Sequence, residues 1–258
     1  MGAGAKHRLV FVDRLLATLV HLRHATTHDV LACWFGVDRS TITRAIGEVR
    51  PLLAKLGCTV SPGVRRRTLA EVVDHLGGKT GIIGGTEIRV RRPAAGRKDR
   101  DTFVSGKSRQ NAVKAMVVTD ADGRVLFCSP TKPGSCADIT HARQLGLVKL
   151  LADGPTVEVL ADAGCQGLGA QTGGRVVTPP HRKFKKNAPD CYEEMYERQR
   201  KAHSSRCIRV EHGVARLKNW RALARHLGRR EHISDTVQAV AVLLSHQQTA
   251  ELIPSRQV

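Results

Sequence analysis

Two acidic residues, Asp162 and Glu211, have the surroundings that metal-dependent phosphodiester chemistry requires. Asp162 ends the apolar run TVEVLAD, which is typical of a buried strand. Glu211 lies in the basic segment 206–223, where apolar residues recur at the spacing of an amphipathic helix. Carboxylates from a strand end and a later helix can hold divalent cations about 4 Å apart, and Mg²⁺ prefers such oxygen ligands. The ordinary alternative for Glu211 is a salt bridge to a neighbouring arginine.

The charge of the chain favours a polyanionic partner. The chain has 42 Lys and Arg against 23 Asp and Glu, a formal net charge of +19 and an isoelectric point near 10.4. Because self-repulsion destabilises a compact domain with this imbalance, its usual explanation is binding to nucleic acid, where each neutralised phosphate releases a counterion. Aromatic residues make up only 3% of the chain, which favours contacts to phosphates and grooves over base stacking.

Membrane association and disulfide-rich scaffolds are both disfavoured. No apolar run approaches the ~18 residues of a membrane-spanning helix, and no signal peptide opens the chain. The seven cysteines are scattered and form no CxxC pair, so neither a zinc ribbon nor a disulfide framework is expected. We expect reduced thiols in a cytosolic protein.

The first 60 residues are predicted to form a helix-turn-helix domain, with a helix at 11–22 and two further helices around a tight turn. Thr27 can cap the second helix, Ala32 is small enough for a close helix contact, and Gly36 can end the helix in a left-handed conformation. Ser40 or Asp38 then caps the third helix. An ordinary helical hairpin is the alternative to this helix-turn-helix spacing. The third helix would present to a major groove Arg39, Ser40, Thr41, Thr43 and Arg44.

The rest of the chain is predicted to form an α/β domain. Residues 61–80 are expected to be a basic linker with a short helix, and residues 251–258 a tail. Between them, three strands precede a helix over 139–151, a strand ending at Asp162, a short fifth strand, and helices at 193–202, 206–223 and 236–247. Asp122 and Gly123 mark a hairpin between the second and third strands. Asp138 suits either a helix cap, the more ordinary interpretation, or a supporting acid.

Further basic residues are candidates for phosphate contacts, with a solvated basic surface as the alternative. They are Arg65, Arg66, Arg67, Lys107, Arg109, Arg182, Lys183, Lys185, Lys186, Arg206 and Arg209.

Several segments carry a resemblance to one family: the helix-turn-helix, GGTEIRVRRP, SGKSRQNAVKAMVVTDADGRVL, PGSCADITHAR, LADAGCQGL and RCIRVEHGVARLKNWRALARHLGRR. Through them almost the whole chain resembles the DDE transposases of the IS5-like insertion-sequence group. The resemblance implies a ribonuclease-H-like catalytic domain, over residues 81–250, behind a small all-α helix-turn-helix domain. It also implies cutting and joining of double-stranded DNA with Mg²⁺ or Mn²⁺, and catalytic, metal-binding roles for Asp162 and Glu211.

The chain departs from this family pattern at the first acid. The family carries Asp-Gly-Thr on the first strand, and this Asp falls on Gly84, which has no ligand atom. Glu87 is a weak substitute, because residues an odd number apart on a strand point to opposite faces unless a bulge intervenes.

The favoured interpretation is a bacterial insertion-sequence transposase that binds element ends and cuts them with a metal-activated water, followed by attack of a 3′-hydroxyl on phosphorus. Gly84 is expected to impair cleavage in this copy. The alternative is a catalytically inactive DNA-binding derivative, and a regulator with an unrelated sensor domain is a weaker rival. The expected location is the bacterial cytoplasm, in association with the nucleoid. No membrane partner is expected, and homo-oligomerisation is left open.

Overall fold

A six-stranded sheet forms the centre of the computed structural model, which describes residues 9–96, 98–182, 189–224, 226 and 228–252. Helices cover both faces of the sheet, and a three-helix unit precedes it. None of the helices in this part of the chain is long and apolar enough to cross a membrane.

The N-terminal unit contains helices α1 (Phe11–His24), α2 (His28–Phe35) and α3 (Arg39–Ala54). The Thr27 side chain accepts a hydrogen bond from the Val30 amide, and Gly36 ends α2 with φ +60°, so both predicted signals are confirmed. Asp38 is the residue before α3, but its side chain makes no capping bond. Apolar side chains from all three helices form a small core of their own. It contains Leu9, Ala17, Leu31, Ala32, Ile42, Ala45 and Ile46.

The segment after α3 is folded throughout, whereas the sequence predicted a basic linker before the short helix. Strands β1 (Cys58–Ser61) and β2 (Val64–Arg66) form an antiparallel hairpin, and helix α4 (Leu69–His75) follows it. A complete capping box starts α4, in which Thr68 and Glu71 bond each other's backbone amides. Apolar side chains of β1 and α4 belong to the core beneath the large sheet, so the basic residues of this segment lie on a structured edge.

The large sheet contains β3 (Thr80–Arg89), β4 (Ala112–Asp120), β5 (Val125–Cys128), β6 (Lys132–Pro133), β7 (Glu158–Ala161) and β8 (Val176–Val177). Its order is β5-β4-β3-β7-β8, with β6 beside β4. Strand β4 runs antiparallel to β3 and β5, whereas β3, β7 and β8 are mutually parallel. Three antiparallel strands extended by two parallel ones are the predicted ribonuclease-H-like arrangement. The predicted hairpin is present, with Gly123 at φ +81°.

The later helices are α5 (Asp138–Gln144), α6 (Leu147–Asp153), α7 (Leu168–Gln171), α8 (Asp190–Lys218), α9 (Arg221–Ala224) and α10 (Ile233–Ala250). The single helix predicted over 139–151 is wrong, because Gly146 at φ +78° separates α5 from α6. The two helices predicted between 193 and 223 are also wrong, since one 29-residue helix, α8, covers most of that range.

Side chains alternate between the two faces of β3, and each face has its own core. Ile82 and Ile88 pack with α8, α9 and α10, and residues of α1, α3 and β1 join the same cluster. Ile83 packs on the opposite face with α4, α5 and α6. The molecule is therefore a three-layer arrangement, with α8 on one face of the sheet and α5 on the other.

The N-terminal helices are docked onto the sheet domain. Val49 and Leu53 of α3 are buried in the same core as α10. The Arg23 guanidinium lies 5.3 Å from the centre of the Trp220 ring, a cation–π contact between α1 and the short connection from α8 to α9. The Thr59 amide, just after α3, donates a 2.9 Å hydrogen bond to Ser245 Oγ of α10. These contacts join the two parts through a buried surface.

Candidate active site

Asp162 and Glu211 line the same surface pocket, which has a volume of about 780 Å³. Asp162 directly follows β7, at the carboxyl end of a parallel strand, and Glu211 lies on α8 across the pocket. His203 and Cys207, on the same side of α8, line the wall between them. The fold therefore brings together the two acids that the sequence singled out, although they are 49 positions apart in the chain.

The carboxylate of Glu211 is exposed and makes no hydrogen bond or ion pair with the residues that the structure describes. The salt bridge considered for it is therefore not seen in this part of the chain. The neighbouring Arg206 bonds instead to Glu158, on β7. Within the described part of the chain, the Glu211 carboxylate is therefore open to a ligand.

The Asp162 carboxylate accepts a backbone hydrogen bond and lies in acidic surroundings. Its Oδ1 accepts a 3.0 Å hydrogen bond from the Gly164 amide. Burial in the pocket wall, then the Asp138 carboxylate and more weakly that of Glu211, raise the pKa of Asp162, whereas Lys107 opposes this rise. A carboxylate whose pKa is raised by other carboxylates nearby is suited to sharing a cation with them.

Helix α8 is held against the sheet by contacts on both sides of Glu211. His203 Nε2 donates a 2.8 Å hydrogen bond to the Ala161 carbonyl, one residue before Asp162. Gly213, two residues after Glu211, lies so close to the β4–β5 hairpin that an added Cβ would be 2.9 Å from Thr119 Cγ2. Because these contacts fix α8 relative to β7, they also set the separation of the two acids.

Gly84 is buried on β3, on the face that α8 covers. A Cβ added at Gly84 would lie 3.2 Å from Cγ1 of Val210, the residue before Glu211. The described residues contain no group of three or more His, Cys, Asp or Glu side chains that could hold a metal ion. Gly84, at the position of the first acid of the family pattern, has no ligand atom to add to the carboxylates of Asp162 and Glu211.

Glu87 belongs to the other face of the sheet. The β3–β4 register is continuous from Gly81 to Arg89, so the bulge that would turn Glu87 towards Glu211 is absent there. Its carboxylate accepts hydrogen bonds from Ser105 Oγ at 2.7 Å and Ser108 Oγ at 2.9 Å. Glu87 is occupied by protein partners, and its role as a substitute acid stays a prediction.

Asp138 lies closer to the candidate site than a helix cap would. The residue before α5 is Ala137, and Asp138 makes no capping bond, so the cap interpretation is wrong. Its Oδ1 lies 2.9 Å from Lys114 Nζ. Side-chain atoms at Gly85 or Gly164 would collide with its carboxylate, since an added Cβ would be 2.9 or 2.7 Å away. The sequence signal that could have indicated this environment was the position of Asp138 in PGSCADIT, at the start of a helix that must face the sheet.

The predicted recognition helix presents polar side chains to solvent. Arg39, Ser40, Thr43 and Arg44 are exposed, and Thr41 is half-buried. Thr43 Oγ donates to the Arg39 carbonyl at 3.0 Å and lies 2.9 Å from His28 Nδ1, so its hydroxyl already has partners. The Arg39 guanidinium is 3.6 Å from Asp29. Arg44 has no such partner among the described residues.

The other predicted phosphate contacts differ in their availability. Arg182 pairs with Glu193 at 2.6 Å, and Arg206 pairs with Glu158. Lys183, Lys185 and Lys186 lie outside the described residues. The remaining positions are exposed, except for the half-buried Arg66. They are Arg65, Arg67, Lys107, Arg109 and Arg209.

A ribonuclease-H-like sheet with paired acids at its edge, preceded by a helix-turn-helix, characterises nuclease-type enzymes that act on DNA. The chain belongs to the DDE superfamily endonucleases, whose family model matches residues 83–245, and the model for the helix-turn-helix of DDE superfamily endonucleases matches residues 7–59. Enzymes of this family use divalent metal ions.

The chain is also similar to individual proteins. It is 29% identical over 223 residues to the putative transposase for insertion sequence element IS112 of Streptomyces albus G, covering 85% of this chain and 73% of that protein. Two solved structures match more distantly. A pre-cleavage Mos1 transpososome is 13% identical, with 97% of this chain and 80% of that chain covered and a TM-score of 0.27. A Mos1 transposase paired-end complex with the left transposon end is 14% identical, with 86% and 82% covered and a TM-score of 0.22.

Proposed function

We propose that the protein is a bacterial insertion-sequence transposase of the IS5-like group. The observation that carries the proposal is the convergence of Asp162, after β7, and Glu211, on α8, in one pocket of a DDE superfamily endonuclease. The IS112 relative supports the assignment to an insertion sequence. The protein would act on chromosomal DNA in the cytoplasm, at the nucleoid.

The proposed division of labour follows the proposed domains. Residues 1–60 bind the terminal sequences of the element through α3, and residues 81–250 act on the phosphodiester. The segment 61–80 joins them and supplies basic side chains from a folded hairpin. Lys107 and Arg209, both exposed, are proposed phosphate contacts, because phosphate contacts fix the register of a duplex on a protein.

Asp162 and Glu211 are the proposed ligands for Mg²⁺ or Mn²⁺. A divalent cation held there would polarise the phosphodiester and lower the pKa of a water molecule. The other contributions come from side chains of the protein. The two acids would fix the position of the cation, and His203 holds α8 against the end of β7. Basic side chains orient the DNA strand.

A second candidate function is favoured by one observation. Gly84 offers no third ligand, and the space beside it is closed by the Val210 methyl groups. A chain of this kind would bind element ends without cutting them efficiently, and would act as a regulator of active copies.

Binding and cleavage assays separate the two candidates. The substrate is duplex DNA carrying the inverted repeats that flank the gene, and the control is a duplex with the same composition in shuffled order. Preferential binding with Mg²⁺- or Mn²⁺-dependent strand cleavage supports the transposase. Preferential binding without cleavage supports the regulator, and equal binding to both duplexes would contradict both.

A further inference from the structure

Glu87 holds the loop that precedes β4 by hydrogen bonds from its carboxylate. Its carboxylate lies on β3, where it is 19% exposed, and it accepts one hydrogen bond on each oxygen. The donors are the hydroxyls of Ser105 and Ser108, both in the short connection between the 3-10 turn at Arg100–Phe103 and β4. Lys114, its cross-strand neighbour on β4, lies 3.8 Å from the same carboxylate.

These bonds define the shape of the loop 105–110. Ser105 is fully buried, and its Oγ accepts hydrogen bonds from the Lys107 and Ser108 amides at 3.1 and 3.0 Å. The Arg109 amide donates to the Ser105 carbonyl, and Arg109 itself adopts φ +54°, a left-handed conformation that is unfavourable for a residue with a Cβ. A tight turn that places arginine in this conformation requires external support, and Glu87 supplies it.

The loop exposes basic side chains, and its base lies close to the acids of the pocket. Gly106, Lys107, Ser108, Arg109 and Gln110 are all exposed. Lys114 Nζ lies between two carboxylates, 3.8 Å from that of Glu87 and 2.9 Å from that of Asp138. The Asp138 carboxylate in turn adjoins Gly164, whose amide donates a hydrogen bond to Asp162. The base of the loop is therefore two side chains away from Asp162, and a phosphate held at the two acids would lie near the loop that carries Lys107.

We propose that Glu87 is a positioning residue, which holds the loop 105–110 so that Lys107 contacts the DNA backbone next to the phosphate at Asp162 and Glu211. The inference rests on the proposed function, since it requires DNA at this pocket. Glu87 acts through Ser105 and Ser108, and the element that touches DNA is the loop.

The test is a double-mutant cycle between Glu87→Gln and Lys107→Ala. Affinity for a fluorescently labelled random-sequence duplex is measured without divalent cations, because phosphate contacts do not depend on sequence or on catalysis. Lys107→Ala should weaken binding and reduce the log–log salt slope by about one. Glu87→Gln should cause a similar loss, and the double variant should bind no more weakly than the weaker single variant, because both changes remove the same contact.

Asp153→Asn is the matched control for charge. It removes one exposed acid on α6, so it changes the net charge as Glu87→Gln does without touching the loop. General electrostatics predict equal or tighter DNA binding for both variants. A loss of DNA affinity seen only with Glu87→Gln would therefore come from the altered loop. If Glu87→Gln fails to fold, Ser108→Ala takes its place in the double-mutant cycle with Lys107→Ala. It removes only one exposed hydroxyl.

Mn²⁺ binding by the DNA-free protein separates positioning from ligation. We expect Glu87→Gln to bind Mn²⁺ with unchanged affinity, and a loss of affinity would overturn the inference by making Glu87 a ligand. Additive effects of Glu87→Gln and Lys107→Ala would overturn it as well, while leaving the proposed function intact. Absence of DNA binding by the unaltered chain would contradict the proposed function itself.

Discussion

His203 Nε2 and the Ala161 carbonyl oxygen are joined by a 2.8 Å hydrogen bond that connects α8 to the end of β7. His203 is buried, and it precedes Glu211 by two helical turns on the same side of α8. Ala161 directly precedes Asp162. One hydrogen bond therefore spans the two elements that carry the proposed metal ligands, and the distance between those ligands depends on it.

Replacing His203 should weaken cation binding as well as the fold. His203→Leu leaves the Ala161 carbonyl without this donor and should lower the free energy of unfolding by about 1–3 kcal/mol. In His203→Gln the amide nitrogen can donate from a position close to that of Nε2 and should restore both properties. Thermal unfolding and Mn²⁺ titration provide the two readouts. A His203→Leu protein with a lower Tm but normal Mn²⁺ affinity would reduce His203 to a structural residue.

Gly84→Asp should restore or increase metal-dependent cleavage of terminal-repeat DNA. The new carboxylate supplies the missing third ligand, and a gain of at least about tenfold corresponds to ~1.4 kcal/mol of transition-state stabilisation. The Val210 methyl groups must move by a few tenths of an ångström, because the new Cβ would otherwise be 3.2 Å from Cγ1. Cleavage rates with Mg²⁺ and with Mn²⁺ provide the measurement.

Gly84→Ala is the control for that substitution, since it adds the same Cβ without a ligand. Gly84→Ala should lose as much stability as Gly84→Asp does, and its cleavage rate should not rise. Strong cleavage by the unaltered chain would show that Glu87 supplies the third acid after all if Glu87→Gln abolished it and also lowered the Mn²⁺ affinity of the DNA-free protein. No cleavage by Gly84→Asp would indicate that the chain binds DNA without cutting it.

Asp162→Asn should stabilise the metal-free protein at neutral pH. Burial and the Asp138 carboxylate raise the pKa of Asp162 in the folded chain above its ordinary value of 3.8, so the ionised form opposes folding. The stability gap between Asp162→Asn and the parent should be present at pH 7. It should shrink as the pH falls through the raised pKa, and vanish below about 3.8, where both folded and unfolded chains are protonated.

Adding Mn²⁺ should reverse this order. The cation binds the folded parent and raises its Tm, whereas Asp162→Asn lacks a ligand and should respond much less. Thermal scans at several pH values, with and without Mn²⁺, check both effects, and Asp153→Asn serves as the exposed-acid control. An Asp162→Asn protein that is less stable than the parent at pH 7 without metal would contradict the predicted repulsion.

Arg44→Ala should weaken binding to the terminal repeats by roughly 1–3 kcal/mol if Arg44 reads a base in the major groove. The side chain is exposed on α3 and has no protein partner among the described residues. Lys149→Ala, on α6, removes one exposed charge elsewhere. Fluorescence anisotropy with terminal-repeat and shuffled duplexes gives the result. An equal loss on both would make Arg44 a phosphate contact, and no loss would remove α3 from the interface.

The sequence was sufficient to predict elements with clear local signals. It was not sufficient where tertiary contacts determine whether an element forms or where it ends. The segment that contains Ile82, Ile83 and Ile88 and the Gly36 signal were sufficient to predict β3 and the end of α2. The polar N-terminal half of α8 has no continuous apolar stripe, so its length could not be inferred from periodicity. The hairpin at 58–66 was missed because its basic residues suggested a linker, whereas contacts with α10 stabilise it.

The candidate site shows the same division. Asp162 and Glu211 could be selected from their places in a strand and a helix, and the fold brings them into one pocket. The environment of Asp138 could not be predicted, because it depends on Lys114 from β4 and on the close approach of Gly85 and Gly164. Likewise, the partners of Glu87 come from a loop whose shape has no periodic signature.

The buried contact between α3 and α10 has a consequence for how this protein would locate a cut on DNA. Val49, Leu53 and the Arg23–Trp220 contact hold the recognition helix at a fixed offset from the pocket of Asp162 and Glu211. Duplex DNA turns once in about 10.5 base pairs. If α3 recognises the element end, a rigid protein of this shape would act as a molecular ruler: the number of base pairs from the recognised sequence would determine which phosphate faces the pocket. Half a turn of added DNA would present the wrong side of the duplex.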